Sequence, residues 1–172
     1  MLEAAILIVF PFAMAHAAIS DMLSMTIANR VSVILIVSFA IIAPLTGMPL
    51  AELGNHVLAF LIVLVVCFGF FALGAMGGGD AKLLASTALW FGLTMQLMEY
   101  LLTASVLGGV LTLSILSYRG SSLAVYTGHI DFLHRMANSK EKIPYGIALG
   151  LAGLMVYPDS GLVQWVINRA VG

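Results

Sequence analysis

Residues 53–79 read LGNHVLAFLIVLVVCFGFFALGAMGGG, with no charged side chain anywhere in the run. A helix crosses a bilayer with about 20 predominantly apolar residues, so this stretch is long enough to span. The pattern repeats outward in both directions. Residues 31–51, 83–98, 100–118 and 143–158 also lack Asp, Glu, Lys and Arg, and residues 4–14 are apolar as well. The spacing predicts an all-α, polytopic membrane protein with about six transmembrane helices, near residues 2–19, 31–47, 56–76, 81–97, 99–118 and 143–160. Between 83 and 118 the only charge is Glu99. That interval is too long for one span, and a charge at the bilayer centre is costly, so the turn between two spans is expected near Gln96 and Glu99.

Composition agrees. Of 172 residues, 62% are hydrophobic, and the mean hydropathy is +1.10. Charged residues make up 9%, against about 25% in an ordinary soluble domain. Seven basic and eight acidic residues cannot cover a soluble particle of this size. An ordinary soluble domain and a disordered chain are excluded, and so is an electrostatic binder of nucleic acid, which needs a basic patch. The partner that composition demands is the lipid bilayer. Cys67 is the sole cysteine and reads as a small buried hydrophobe. Ala15-His16-Ala17 has the small residues of a signal cleavage site, but Glu3 stands where a signal peptide carries basic charge. A retained first helix is therefore expected.

The basic residues set an orientation. With alternating spans, Arg30, Lys82, Arg119, Arg135, Lys140 and Lys142 fall on one face and only Arg169 on the other. By the positive-inside rule, the segments near 20–30, 77–82 and 119–142 are expected in the cytoplasm and the N-terminus outside. In the 119–142 loop, Leu123, Tyr126, Ile130, Leu133 and Ala137 recur at helical spacing. That fits a short amphipathic helix on the membrane surface, acting either as a lid or as a plain connector.

Two acids stand out on the cytoplasmic face. Asp21 follows the first span, and Asp80 follows Gly77-Gly78-Gly79 and opens the fourth. Two carboxylates on one face suit an aspartic peptidase, in which like charges close together leave one group protonated. The glycines have no side chains to block a second chain near Asp80, and an extended substrate could satisfy its amides along that edge. The competing reading is a simple helix break with a capping aspartate. A further alternative is a small proton- or cation-coupled transporter, with the two acids as relay.

These residues resemble a family. Gly77-Gly78-Gly79-Asp80-Ala81-Lys82 is similar to the Gly-x-Gly-Asp motif of type IV prepilin peptidases. Asp21, ahead of Ile27-Ala28-Asn29, resembles the family's first catalytic aspartate and its Ile-Pro-Asn element. Ile143-Pro144-Tyr145-Gly146 resembles the Pro-Tyr-Gly start of the last helix. The resemblance implies a membrane-embedded aspartic endopeptidase of the bacterial inner membrane. Such enzymes remove the basic leader from prepilins or pseudopilins at the cytoplasmic face, with Asp21 and Asp80 as the dyad and without metal or organic cofactor. Gly77, Gly78, Gly79, Lys82, Asn29, Pro144, Tyr145 and Gly146 would support the site or the substrate. The short length resembles the branch serving tight-adherence (Flp) pili. The paired cysteines of the larger, methylating relatives are missing, so peptidase activity without N-methyltransferase activity is expected from a single domain over 1–172. Two departures stand out. The stretch after the first aspartate, usually basic, reads Met22-Leu23-Ser24-Met25-Thr26, and Ala28 replaces the usual proline.

The other polar residues have ordinary explanations. His16 reads as an interfacial histidine. His129, Asp131 and His134 do not share one helical face, so no metal site is expected there. Glu3, Glu52, Glu99 and Asp159 fall at outer ends, and no His-Glu-x-x-His or Gly-x-Ser-x-Gly motif occurs.

Overall fold

A computed structural model describes residues 1–121 and 143–171. Every regular element among them is helical: α1 (Leu2–Ser24), α2 (Asn29–Leu45), α3 (Leu50–Ala72), α4 (Gly78–Phe91), α5 (Met95–Arg119), α6 (Tyr145–Val156), a single 3₁₀ turn (Tyr157–Asp159) and α7 (Gly161–Val171). Four stretches are long and apolar enough to cross a membrane: α1, α3, α5 and the continuous run Tyr145–Val171. The chain is therefore a multi-pass, all-helical membrane protein. The 119–142 loop lies almost wholly outside the described residues, and its proposed amphipathic helix and its His129, Asp131 and His134 with it.

The helices alternate in direction. One end of the bundle collects the C-termini of α1, α3 and α5 and the N-termini of α2, α4 and α6. Asp21 meets Gly146 there, Asn29 meets Lys82, Phe71 meets Gly78 and Thr112 meets Tyr145. The opposite end holds α7, where Arg169 Nε lies 3.3 Å from Glu3 Oε1.

Helix boundaries differ from the expected spans for local reasons. α3 starts six residues before the expected position and ends at Ala72 rather than 76. Gly74, at φ +73°, stops it, with the Gly74 amide donating to Phe71 O and the Ala75 amide to Phe70 O, both at 2.9 Å. This is the left-handed glycine termination that closes many helices. The turn expected at Gln96–Glu99 falls instead at Gly92–Thr94, so those two residues sit in α5. Gly92, at φ +67°, ends α4, and the His56 ring lies 3.2 Å from where its Cβ would be. α4 is consequently only 14 residues long, or about 21 Å at 1.5 Å per residue, short of the ~30 Å hydrocarbon core. It tolerates this because its neighbours, not lipid, surround it: Ala81 and every residue from Leu83 to Phe91 are buried. The last span does not end at 160. It continues through Ser160 into α7, whose buried Leu162, Val163 and Val166 form its inner face.

The far half of the bundle is closed by aromatic rings. Phe10 stacks on Tyr157 at 4.1 Å and packs against Trp90 at 5.3 Å. Trp90 Nε1 donates to Leu35 O at 3.0 Å and Tyr157 Oη to Ile6 O at 2.8 Å, so the polar tips of these rings are satisfied as buried groups must be.

α1 and α6 approach backbone to backbone. A Cβ on Gly150 would lie 2.7 Å from Met14 O and 2.8 Å from Ala18 Cβ, and one on Gly153 would lie 2.5 Å from Met14 Cε. Gly146, Gly150 and Gly153 recur at helical spacing and form one face of α6. Small residues at such spacing let membrane helices pack backbone to backbone, and this face sets the position of Asp21.

Candidate active site

Asp21 lies in the last turn of α1 and is only 4% exposed. Its Oδ2 accepts a hydrogen bond from the Gly146 backbone amide at 2.6 Å. That amide belongs to the first turn of α6, where the leading N–H groups lack partners within the helix. The approach works only with glycine: a Cβ at 146 would lie 2.8 Å from Asp21 Cβ, Asp21 Oδ2 and Ile27 Cδ1 alike.

Asp80 occupies the first turn of α4, three residues after the capping position held by Gly77. It is thus inside the helix rather than its cap, and no side chain caps α4. Its carboxylate folds back over Gly77, where an added Cβ would lie 2.6 Å from Asp80 Oδ2. At Gly79 an added Cβ would lie 3.2 Å from Ile27 Cβ. At Gly79 the close neighbour is therefore this protein's own loop between α1 and α2, while Gly78 faces the Phe71 ring. Ile27 is clamped between Gly79 and Gly146, which ties the two aspartate-bearing elements together.

Asp21 and Asp80, some sixty residues apart, line one cavity of 210 Å³ together with Thr26, Ile27, Gly79 and Ile143. Around it, Lys82 Nζ donates to Asn29 Oδ1 at 3.0 Å, joining the start of α4 to the start of α2. Pro144 is buried in the position preceding α6. The Tyr145 hydroxyl pairs with Thr112 Oγ1 at 3.1 Å, and its ring lines a neighbouring cavity shared with Asp80. Asp21, Gly77, Gly78, Gly79, Asp80 and Gly146 are thus gathered at one end of the bundle, with Asn29, Lys82, Pro144 and Tyr145 at its border. Among the described residues no three His, Cys, Asp or Glu side chains converge as a metal site would require.

Sequence reasoning missed what holds the α1–α2 loop. Met25 ends α1 in the left-handed region at φ 53°, its amide donating to Asp21 O at 2.9 Å. Ser20 Oγ donates to Thr26 O at 3.0 Å, and Ser24 Oγ to Ser20 O at 2.7 Å. Short hydroxyl side chains that bond the local backbone are a recognisable turn signal, so Ser20, Ser24 and Thr26 were the clue. Ile27 carried no signal of its own.

Fold and site together define a multi-pass helical membrane protein with two carboxyl groups facing one small cavity at the helix ends. The model of the type IV leader peptidase family matches residues 8–113, more than half of the chain, and the chain belongs to that family. The match takes in Asp21 and Gly77–Asp80 and stops before Pro144–Gly146, whose place at the site is given by geometry alone. Comparison with curated proteins and with solved structures finds no match.

Proposed function

We propose that this protein is an aspartic endopeptidase that removes the basic leader from prepilins or pseudopilins, of the Flp type given the short chain. The whole chain, 1–172, works as one unit in the bacterial inner membrane. Its site faces the cytoplasm and its N-terminus the outside, by the distribution of basic residues. The observation that carries the reading is the shared cavity of Asp21 and Asp80, in a chain of the leader peptidase family.

The chemistry follows from two carboxyl groups holding one proton between them. The ionised carboxylate takes a proton from a water in the cavity, and the water oxygen bonds to the scissile carbonyl carbon. The protonated partner donates to the carbonyl oxygen, giving a neutral gem-diol. As the gem-diol collapses, the C–N bond breaks, the nitrogen takes a proton from the carboxylic acid formed in the first step, and the diol returns its proton to the other carboxylate. Water is consumed and the dyad ends with one proton, as it began. No metal or organic cofactor enters, and a methyl transfer is not assigned to this chain. Lys82 and Asn29 brace the helix ends, and the Gly146 amide holds Asp21 in place.

A transporter reading has less support, since both acids lie at the same end of the bundle and the rings of Phe10, Trp90 and Tyr157 pack the space between α1, α4 and the Tyr157 turn beyond them. The test is leader cleavage of a Flp-type prepilin in membranes by the parent, Asp21→Asn and Asp80→Asn. Loss of a general acid or base costs about 10²–10⁴-fold. The reading stands if the parent cleaves and both folded variants fall by that factor. It fails if the parent cleaves no prepilin, or if either variant keeps the parental rate.

A further inference from the structure

Asp80 also forms one end of a larger cavity, of 480 Å³, that runs between α4, α5 and α6. Leu84 stands on the α4 side and Ala148 on the α6 side, while α5 contributes Ala104, Gly108 and Thr112. Four features describe what fits it. The α5 wall extends from Leu101 to Leu113, about 18 Å at 1.5 Å per residue, or roughly three helical turns. It lies along a helix long and apolar enough to cross the membrane, so the cavity sits at hydrocarbon depth. Its described hydroxyls already have partners: Ser105 Oγ donates to Leu101 O at 2.7 Å, Thr112 Oγ1 donates to Gly108 O at 2.7 Å, and the Tyr145 hydroxyl pairs with Thr112 Oγ1 at 3.1 Å. Away from Asp80, the described wall is apolar or has its hydroxyls paired, and such a wall recruits an apolar occupant. Finally, Gly109 faces open space, with nothing within 4 Å of an added Cβ, and small residues there allow a second helix backbone to come close.

We propose that this groove seats the apolar segment of the substrate on the far side of the scissile bond, its first three helical turns lying along α5 with the bond itself unwound at Asp80. This deepens the peptidase reading and rests on it. The occupant is a membrane-anchored polypeptide rather than a free lipid, because the groove is continuous with the cavity of the two aspartates: Asp80 borders both. A chain cut at Asp80 and anchored in the bilayer has to leave the site along a hydrocarbon-depth path, and this groove begins there. The enzyme thereby reads the apolarity and length of the segment after the cut as well as the junction.

The experiment uses the full-length protein in proteoliposomes with two substrates. One is a complete prepilin. The other is a peptide with the same junction that ends a few residues past the cut. Gly109→Phe fills the groove where there is room for the new side chain, and Leu102→Phe puts the same ring at an exposed position outside the cavity. Gly109→Phe is expected to raise KM for the complete prepilin by about tenfold or more relative to the short peptide, the scale of one overpacked contact. Leu102→Phe is expected to leave that ratio at its parental value. A cysteine at Gly109 should also cross-link to a cysteine placed in the second turn after the cut. The proposal is overturned if Gly109→Phe leaves the ratio unchanged, as a lipid-filled groove would, or if both substrates lose equally. It is equally overturned if the cross-link forms to residues 122–142 of the protein itself. Failure of the parent on both substrates would instead refute the peptidase reading, and is read before any variant is compared.

Discussion

Gly146→Ala tests the contact on which the site is built. The added Cβ would lie 2.8 Å from three atoms at once, Asp21 Cβ, Asp21 Oδ2 and Ile27 Cδ1, where carbon atoms normally rest about 3.5–4.0 Å apart. Relief requires a shift of roughly 0.7 Å or more. The yielding group cannot be the α1 backbone, because Gly150 already lies against Met14 O and Ala18, so the Asp21 carboxyl and the α1–α2 loop must move. The amide–carboxylate bond, now 2.6 Å, would then stretch beyond the ~3.2 Å limit of a good N–H···O contact. Overpacking of this kind costs about 1–3 kcal/mol, a melting shift of only several degrees in a chain of this size. A misplacement of about 1 Å at a reacting group costs ~10²-fold in rate. The expected outcome is a folded protein whose leader-cleavage kcat falls about a hundredfold. Gly54→Ala in α3 is the control: nothing lies within 4 Å of a Cβ added there, so activity should stay near parental. A Gly146→Ala enzyme that is folded and as fast as the parent would refute the assignment of Asp21 and its amide to the machinery.

Three further outcomes follow from the same geometry. Cleavage should show a bell-shaped pH profile, falling in acid as both carboxyls hold protons and in alkali as both ionise. A profile flat from acid to alkali counts against a dyad. Ala28 has φ −66°, the angle a proline ring imposes, and its amide donates no hydrogen bond among the described residues. Ala28→Pro should therefore raise stability by about 0.4–1 kcal/mol, measured by thermal unfolding in detergent, and a loss of stability would show that the loop needs the Ala28 amide. Asp21→Ala should be less stable than Asp21→Asn by about 1–3 kcal/mol, because only the amide side chain keeps an acceptor for the buried Gly146 N–H; equal stability would mean that this bond adds nothing to the fold.

Much of this was legible in the residues. The charge-free intervals marked the apolar helices, since ionised groups are expelled from hydrocarbon, although four rather than six stretches are long and apolar enough to cross, and the same rule left Asp21 and Asp80 at helix ends on one face. The ends of the helices were less legible. Gly74 and Gly92 terminate α3 and α4 by adopting positive φ, but glycine is common inside membrane helices too, so its role at a given position depends on the neighbours. α7 was overlooked because Gln164, Asn168 and Arg169 dilute its apolar face, and only packing under α1 reveals Leu162, Val163 and Val166 as core. The glycine face of α6 was visible as Gly146, Gly150 and Gly153, yet which helix it meets is a tertiary fact that periodicity does not carry.

That glycine face also explains how two acids come to share a small cavity. Carboxylates repel when both are ionised, so nothing in the pair draws α1 and α4 together at this end. The approach is imposed from elsewhere. Met14 and Ala18 dock into Gly150 and Gly153, the ring cluster around Phe10 and Trp90 fixes the far half, and Ile27 wedges between Gly79 and Gly146. α1 can then place Asp21 with the tolerance of backbone packing rather than of a long side chain. The helix directions have the same consequence for Asp80. α4 is short and almost wholly buried, so its first turn cannot slide along the bilayer normal without breaking the Trp90–Leu35 and His56–Leu89 hydrogen bonds at its other end. The positions of the two carboxyl groups are therefore set by apolar contacts and backbone bonds distant from the cavity. On the Asp21 side the cavity is held by the Gly146 amide, and under the proposed chemistry its volume is the space that a water and an unwound peptide would enter.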